Sequence, residues 1–488
     1  MNTIMRKIFL SVVITVFCFT SLLVAQAPAR SKPPELGPTP AMKLPPIQHF
    51  TLSNGLKVML MEKHELPLVQ MELMWKVGEV LNPADQPGLA SMTVDMMNEG
   101  AGKRNALELS DAINFLGAQI YATAGMHTSG VSMHTPLSKL DKALDLFADI
   151  IMKPTFPADE LERKKTERLT TLMQWHDQAR AIASVIYNRT LFGSSHPYGI
   201  PDMGNEASIR AMKVDDPKKF YAAYLHPGNA TLIIVGDLKK DAIQKQLEKI
   251  FKGWKAHKPA LAMVAAAPQI TGRTVYVVDK PGSAQSVIRI GRIGVARTSE
   301  DYFAIQVMNT ILGGSFSSRL NQNIREEHQY TYGAGSMFAF RPAPGAFTAY
   351  ADVQTNVTDS SLIQFMYELG RISDITDDEV SRAKNYLALG YPDDFSTIAS
   401  ITGAMADLAL YNLPDDYFNN YIQKILAVTK DDIVNAAKKY IDANNLAIVV
   451  VGDKAKIEQG ITNLNLGKIV DYSIDDVLGK APVVEGGK

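Results

Sequence analysis

The chain alternates between two hydrophobic periods, and it does so twice. Apolar runs rich in Val, Ile, Leu and Met at 55–61, 68–77, 275–279 and 286–294 suit strands. After each pair of runs the apolar positions recur at helical spacing, first in 88–98 and then in 302–312. More strands follow, then long amphipathic helices such as 137–152 and 376–389. Asn229–Asp237 reads NATLIIVGD and Asn445–Asp453 reads NLAIVVVGD, 216 positions later. Each is a β-branched run ending in Gly-Asp, which suits a buried strand feeding a turn. Each follows a similar helical stretch, VDDPKKFYAAYLHPG or VTKDDIVNAAKKYIDAN. The segment 258–272 (KPALAMVAAAPQITG) has no periodicity and reads as a linker. The pattern predicts an α+β protein of two homologous domains, each a mixed β-sheet with helices packed on one face.

Arg6 and Lys7 precede an apolar run to Ala25, with small residues at Ala25 and Ala27. Residues 1–27 therefore read as a secretory signal peptide, or as an uncleaved N-terminal anchor. A Pro-rich linker follows at 28–47, and the two domains are expected at 48–257 and 273–480. Cys18, the single cysteine, lies inside the signal, so disulfides and thiol chemistry are excluded from the mature chain. The formal charge is −1 with no basic cluster, which argues against a nucleic-acid partner. At 488 residues the chain is too long for one core.

Several short motifs occur in a specific order: LSNGLKVML (52–60), Gly-Leu-Ala (88–90), HPYGIPDMG (196–204), HPGNATLIIVGD (226–237) and ILGGSFSSRLNQNIREEHQYTYGAGS (311–336). With the internal duplication, they make residues 48–460 resemble the pitrilysin/insulinase-type (inverzincin) metallopeptidases. The resemblance is to the short two-subunit group that includes mitochondrial processing peptidase. It implies a zinc helix H-x-x-E-H, with two histidine ligands and a glutamate that activates water. Here the corresponding positions are Ser91, Val94 and Asp95, and the later glutamate ligand falls at Thr170 and Thr171. All of these degenerate positions (Ser91, Val94, Asp95, Thr171) have lost the chemistry together, so this chain is expected to hold no metal. An alternative carboxylate set, Asp95, Glu99, Glu162 and Glu167, suits magnesium or calcium better than zinc. The plainer reading is charge on solvated helix faces.

The second half keeps what the first has lost. In two-subunit members, one chain supplies zinc and the other an Arg/Tyr pair in a motif like R-E-x-x-x-x-x-Y. Arg325 and Tyr332 match that motif, near a helix end and a strand start. Attack of metal-bound water on a peptide carbonyl builds negative charge on oxygen, and a guanidinium and a phenol are suitable donors to it. The resemblance thus implies catalytic roles for Arg325 and Tyr332. Tyr330, two residues earlier, is a possible stand-in. Gly313, Gly314 and Arg319 are expected to bind substrate, the glycines by letting a backbone approach closely and Arg319 by holding the loop. Other features read as structural: His127 and His134, seven apart on an alternating pattern, do not share a face. His196, Pro197 and Tyr198 read as a turn, and Met92, Met96 and Met97 as core.

The implied function is the non-zinc, substrate-orienting subunit of a heterodimeric zinc endopeptidase acting on unfolded peptides, inactive alone. Its partner would be a homologous H-x-x-E-H subunit carrying the zinc, and its peptide would add as a strand to a sheet edge. The alternative is a catalytically inactive scaffold or peptide-binding pseudopeptidase. The signal points to the periplasm, with membrane contact only through an uncleaved anchor.

Overall fold

A computed structural model describes residues 37–484. The expected signal (1–27) lies outside the described residues, as does most of the 28–47 linker. From Pro40 onward the described chain forms one compact unit, into which each half contributes a six-stranded sheet.

The first sheet contains β1 (Gln48–Thr51), β2 (Lys57–Glu62), β3 (Leu68–Trp75), β4 (Gln119–Ala124), β5 (Ser129–Pro136) and β6 (Ala230–Gly236) in the order β1-β2-β6-β3-β5-β4. The second contains β7 (Thr274–Asp279), β8 (Gln285–Ile293), β9 (Thr331–Phe338), β10 (Ala346–Gln354), β11 (Ala447–Gly452) and β12 (Lys468–Tyr472) in the order β9-β10-β8-β11-β7-β12. Both sheets are mixed: β6 runs parallel to β2 and antiparallel to β3, as β11 does to β7 and β8. Lys57 stands opposite Thr231 as Thr274 stands opposite Ala447, so the same position of each Gly-Asp strand meets the start of its parallel neighbour.

The helices that matter for the site are α1 (Leu89–Met96), α2 (Ala106–Phe115), α3 (Leu140–Met152), α4 (Ala158–Trp175) and α5 (Ala179–Phe192) in the first half. In the second they are α6 (Tyr302–Asn309), α7 (Thr358–Gly370), α8 (Asp377–Gly390) and α9 (Ile398–Tyr411). α6 runs on into a π-helical turn, Thr310–Gly314.

Helices were expected on one face of each sheet, and each half does place most of its own helices that way. The other face is also covered, by one helix from the opposite half: α9 lies on β3 and β6, and α5 on β8 and β11. The strand residues explain this. Leu232 and Ile234 of β6 join the first-half core, whereas Ile233 and Val235 pack with the second-half core. In β8 and β11, Ile288, Ile290 and Val450 face one way, and Val287, Val449 and Val451 face α5. Strands apolar on both faces must be covered on both. Across the seam, the Tyr187 hydroxyl donates to the Phe347 carbonyl at 2.6 Å and the Lys76 ammonium to the Leu410 carbonyl at 3.3 Å. Met92, Met96 and Met97 are core residues, as expected.

Candidate functional site

α1 is buried on almost every side, with Leu89, Ala90, Met92, Thr93, Val94 and Met96 inaccessible. It sits where the resemblance places a zinc helix. The Ser91 hydroxyl faces the carbonyls of Gly88 and Asp202, at 3.2 and 3.1 Å. Val94 is fully enclosed. Thr170 and Thr171 donate back to their own helix, to the carbonyls of Thr166 (2.8 Å) and Glu167 (3.0 Å). The Asp95 carboxylate is bound by Arg168 of α4 at 2.7 Å, and the same guanidinium donates to the Gly88 carbonyl at 2.9 Å.

These residues do not fit zinc. A structural or catalytic zinc needs at least three converging nitrogen, sulfur or carboxylate donors. Here the hydroxyls are engaged with backbone carbonyls, and the single carboxylate already has a cation. Arg168, its side chain 9 % exposed, spans from α4 to α1 and links the same two helices that a metal would link. Among the described residues, no group of three or more His, Cys, Asp or Glu side chains is placed to hold a metal ion.

The four carboxylates weighed as an alternative site are dispersed into ion pairs. Asp95 pairs with Arg168, Glu99 with Arg163 and Lys164, Glu162 with Lys165, and Glu167 with Arg163. Glu99 departs from the solvated-face expectation, because it is buried between α4 cations. Glu79 was not anticipated. Its carboxylate accepts the Ser91 backbone N–H at 2.7 Å and a bond from the Asn82 amide, which ties it to the first turn of α1. Burial lifts its pKa to about 7, against the lowering effect of those hydrogen bonds and of Arg168.

The second-half motif is built differently. Residues 321–327 form a π-helical segment ended by Gln329, whose φ of 59° is left-handed. The turn is closed by bonds from the Gln329 N–H to the Arg325 carbonyl (3.1 Å) and from the Tyr330 N–H to the Ile324 carbonyl (3.0 Å). β9 then begins, and its register against β10 slips between Thr331 and Ala334. Thr331 donates to the Asp352 carbonyl at 2.7 Å, and Asn321 accepts the Ala334 N–H at 3.3 Å, so the irregularity is held on both sides. Such bulges re-aim a side chain, and Tyr332 within it is 94 % exposed. Tyr330 is partly buried and stacked on His328 at 5.0 Å.

The Arg325 guanidinium lies over the Phe316 ring, 4.6 Å from its centroid, and pairs with Glu326 at 2.5 Å. A third of its side chain is exposed. β9 is an edge strand, and its outward groups at Ala334 and Ser336 are taken by the side chains of Asn321 and Asn309 (3.3 and 3.0 Å), which leaves its Tyr332 end. The close approach that Gly313 permits is internal. A Cβ there would sit 2.2 Å from the Ser336 nitrogen of β9, and one on Gly314 would sit 2.8 Å from the Asn309 amide. Arg319 lies behind the loop, paired with Glu379 at 2.6 Å and donating to the carbonyls of Arg371 and Asp374. Burial would raise Glu379, but Arg319 and Thr376 hold it at about 2.

The features read as structural have separate partners. His127 contacts the Tyr198 hydroxyl at 2.6 Å, and His134 contacts Gln70 at 3.0 Å. His196 accepts the Tyr198 N–H, as a turn residue should.

Comparison with known proteins now bears on this geometry. Residues 57–192 match the family model described as Insulinase (Peptidase family M16), and residues 211–387 match that described as Peptidase M16 inactive domain. A Helicobacter pylori protein named Non-peptidase homolog YmxG is 22 % identical over 398 residues, covering 81 % of this chain and 91 % of that protein. A crystal structure of a peptidase M16 inactive domain from Pseudomonas fluorescens superposes with a TM-score of 0.78 at 26 % identity, over 83 % of this chain and 98 % of that one. The periplasmic protease PqqL from Escherichia coli has the same fold (TM-score 0.71, 15 % identity), matched over 89 % of this chain but 52 % of PqqL.

Proposed function

The chain belongs to the M16 (insulinase) peptidase family, and from that premise we propose that it is the zinc-free, substrate-orienting subunit of a heterodimeric metalloendopeptidase. The observation that carries this reading is an asymmetry. The first half has replaced the metal positions with Ser91, Val94, Asp95 and Thr171 and bridged the cleft with Arg168. The second half keeps Arg325 on an aromatic support and Tyr332 turned outward at the start of an edge strand. A guanidinium and an outward phenol suit a carbonyl held by a metal that another chain carries. That PqqL is matched over about half its length agrees with a working peptidase made from two units of this size.

In this proposal the partner is a homologous M16 chain with an intact H-x-x-E-H helix and the zinc. An unfolded peptide pairs with β9 at its Tyr332 end, and Arg325 and Tyr332 donate hydrogen bonds to the carbonyl oxygen as charge builds on it. Gly313, Gly314 and Arg319 serve the substrate indirectly, by fixing the loop that carries Phe316. The chain is inactive alone and acts in the periplasm, consistent with its N-terminal pattern and with the location printed for PqqL. In the reconstituted complex, Arg325→Ala and Tyr332→Phe should each lower kcat by about 10²–10³ with little change in assembly. Full activity in the Arg325→Ala complex would sink the proposal.

The second reading, an inactive scaffold, draws on the name of the Helicobacter pylori relative and on Glu326, which already neutralises Arg325. It predicts a chain that assembles without any zinc-bearing homologue.

A further inference from the structure

Behind the loop that carries Phe316, the second half contains a cavity of about 290 Å³. It is lined by the loop (Ser315, Ser317), the 321–327 helix (Gln322, Asn323, Glu327), α7 (Glu368, Arg371) and α8 (Glu379, Arg382). Its deeper groups are fixed by pairing. Glu368, 1 % exposed, receives both Nε and Nη2 of Arg371 at 2.8 and 2.9 Å, and Arg319 is bound to Glu379. The Asn323 amide nitrogen donates to Glu368 at 2.8 Å, but its carbonyl oxygen has no partner although the residue is 6 % exposed. A buried acceptor left unbonded costs on the order of 1–3 kcal/mol.

The remaining free groups are of two kinds. Among the described residues, Glu327 is exposed and makes no side-chain hydrogen bond or ion pair, so it is the acceptor left unused at the mouth of the cavity, whereas the Asn323 oxygen is sealed from it. Arg371 keeps Nη1 free, and Arg382 uses only one nitrogen, on the exposed Asp378. Guanidinium donors are thus spare on α7 and α8. The buried carboxylates Glu368 and Glu379 are already paired with Arg371 and Arg319, so they form no set of donors for a metal cation. A simple anion would meet the charge of Glu327, and a polyamine would meet Arg371 and Arg382. A ligand carrying an anion at one end and an N–H cation at the other satisfies both sets. The volume lies at the small end for ligand pockets.

We propose that this cavity binds a small zwitterion, a peptide of two or three residues with both termini free, its carboxylate on Arg371 and Arg382 and its ammonium on Glu327. The assignment does not depend on the zinc-partner reading and is testable on the chain by itself. Titration calorimetry with Ala-Ala-Ala should show saturable one-to-one binding. N-acetylation or C-terminal amidation should each weaken it by about tenfold or more. Glu327→Gln should weaken binding of the free tripeptide but not of the N-acetylated one, and Arg382→Ala should do the same with respect to the amide. Both residues are exposed, so the fold is not at risk. Absence of binding up to millimolar peptide would overturn the assignment. So would binding indifferent to capping and to both variants, which would place the peptide elsewhere, as at the β9 edge. Dependence on the carboxylate alone would also overturn it, leaving an anion site.

Discussion

If Arg168 has taken over the linking role of a metal, removing its partner should cost more than removing both. In Asp95→Ala the guanidinium stays 9 % exposed with only carbonyl partners. Breaking a buried pair from one side costs about 3–5 kcal/mol. The Asp95 side chain is 39 % exposed, and water can reach its side of the pair, so the lower end, roughly 3 kcal/mol, is expected. Arg168→Met removes the charge and keeps much of the volume. It strands a partly hydrated carboxylate and the Gly88 carbonyl, and should cost roughly 2 kcal/mol. The double variant should recover at least half of the summed loss, since neither charge is then unpaired. Urea unfolding of the four proteins gives the cycle, and hydrogen exchange in α1 and α4 reports whether the loss is local. An Asp95→Ala cost below about 0.5 kcal/mol, or strictly additive variants, would refute the linking role.

Restoring Ser91→His, Val94→Glu, Asp95→His and Thr171→Glu together should not yield tight zinc binding by calorimetry while Arg168 is present, and should do so once Arg168→Val is added. Glu79 has its folded pKa raised from 4.5 to about 7, so the folded state holds the extra proton between those values. The contribution of Glu79 to stability is therefore full below about pH 4.5 and is lost as pH rises through 7, about 3 kcal/mol in all. Glu79→Gln should remove most of the difference between urea midpoints at pH 5 and pH 8. Gly313→Ala forces a Cβ against the β9 backbone and should cost about 2 kcal/mol, seen as faster exchange in β9.

The duplication was legible because two Gly-Asp strands with similar helical lead-ins repeat 216 positions apart, and each runs parallel to one neighbour and antiparallel to the other. The exchange of α5 and α9 was not, although one signal was present: β6 and β11 are apolar at nearly every position rather than at alternate ones. The missing metal ligands were readable as substitutions, but Arg168 was not, since an arginine in a charged helix gives no sign that its partner lies 73 positions earlier. Glu79 was missed although its partners Asn82 and Ser91 lie only 3 and 12 positions on, because nothing in the sequence marks this glutamate as buried. The Arg325–Tyr332 spacing came through because it is local. The internal contacts of Gly313 did not, because they depend on how closely β9 passes.

The central claim is that this chain completes a metal site carried by another. Its most direct test is mass spectrometry of the proteins that co-purify with the tagged chain from its own cell envelope. The account predicts a stoichiometric M16 partner of similar size with an intact H-x-x-E-H helix and bound zinc. A stable homodimer with no such partner would contradict it.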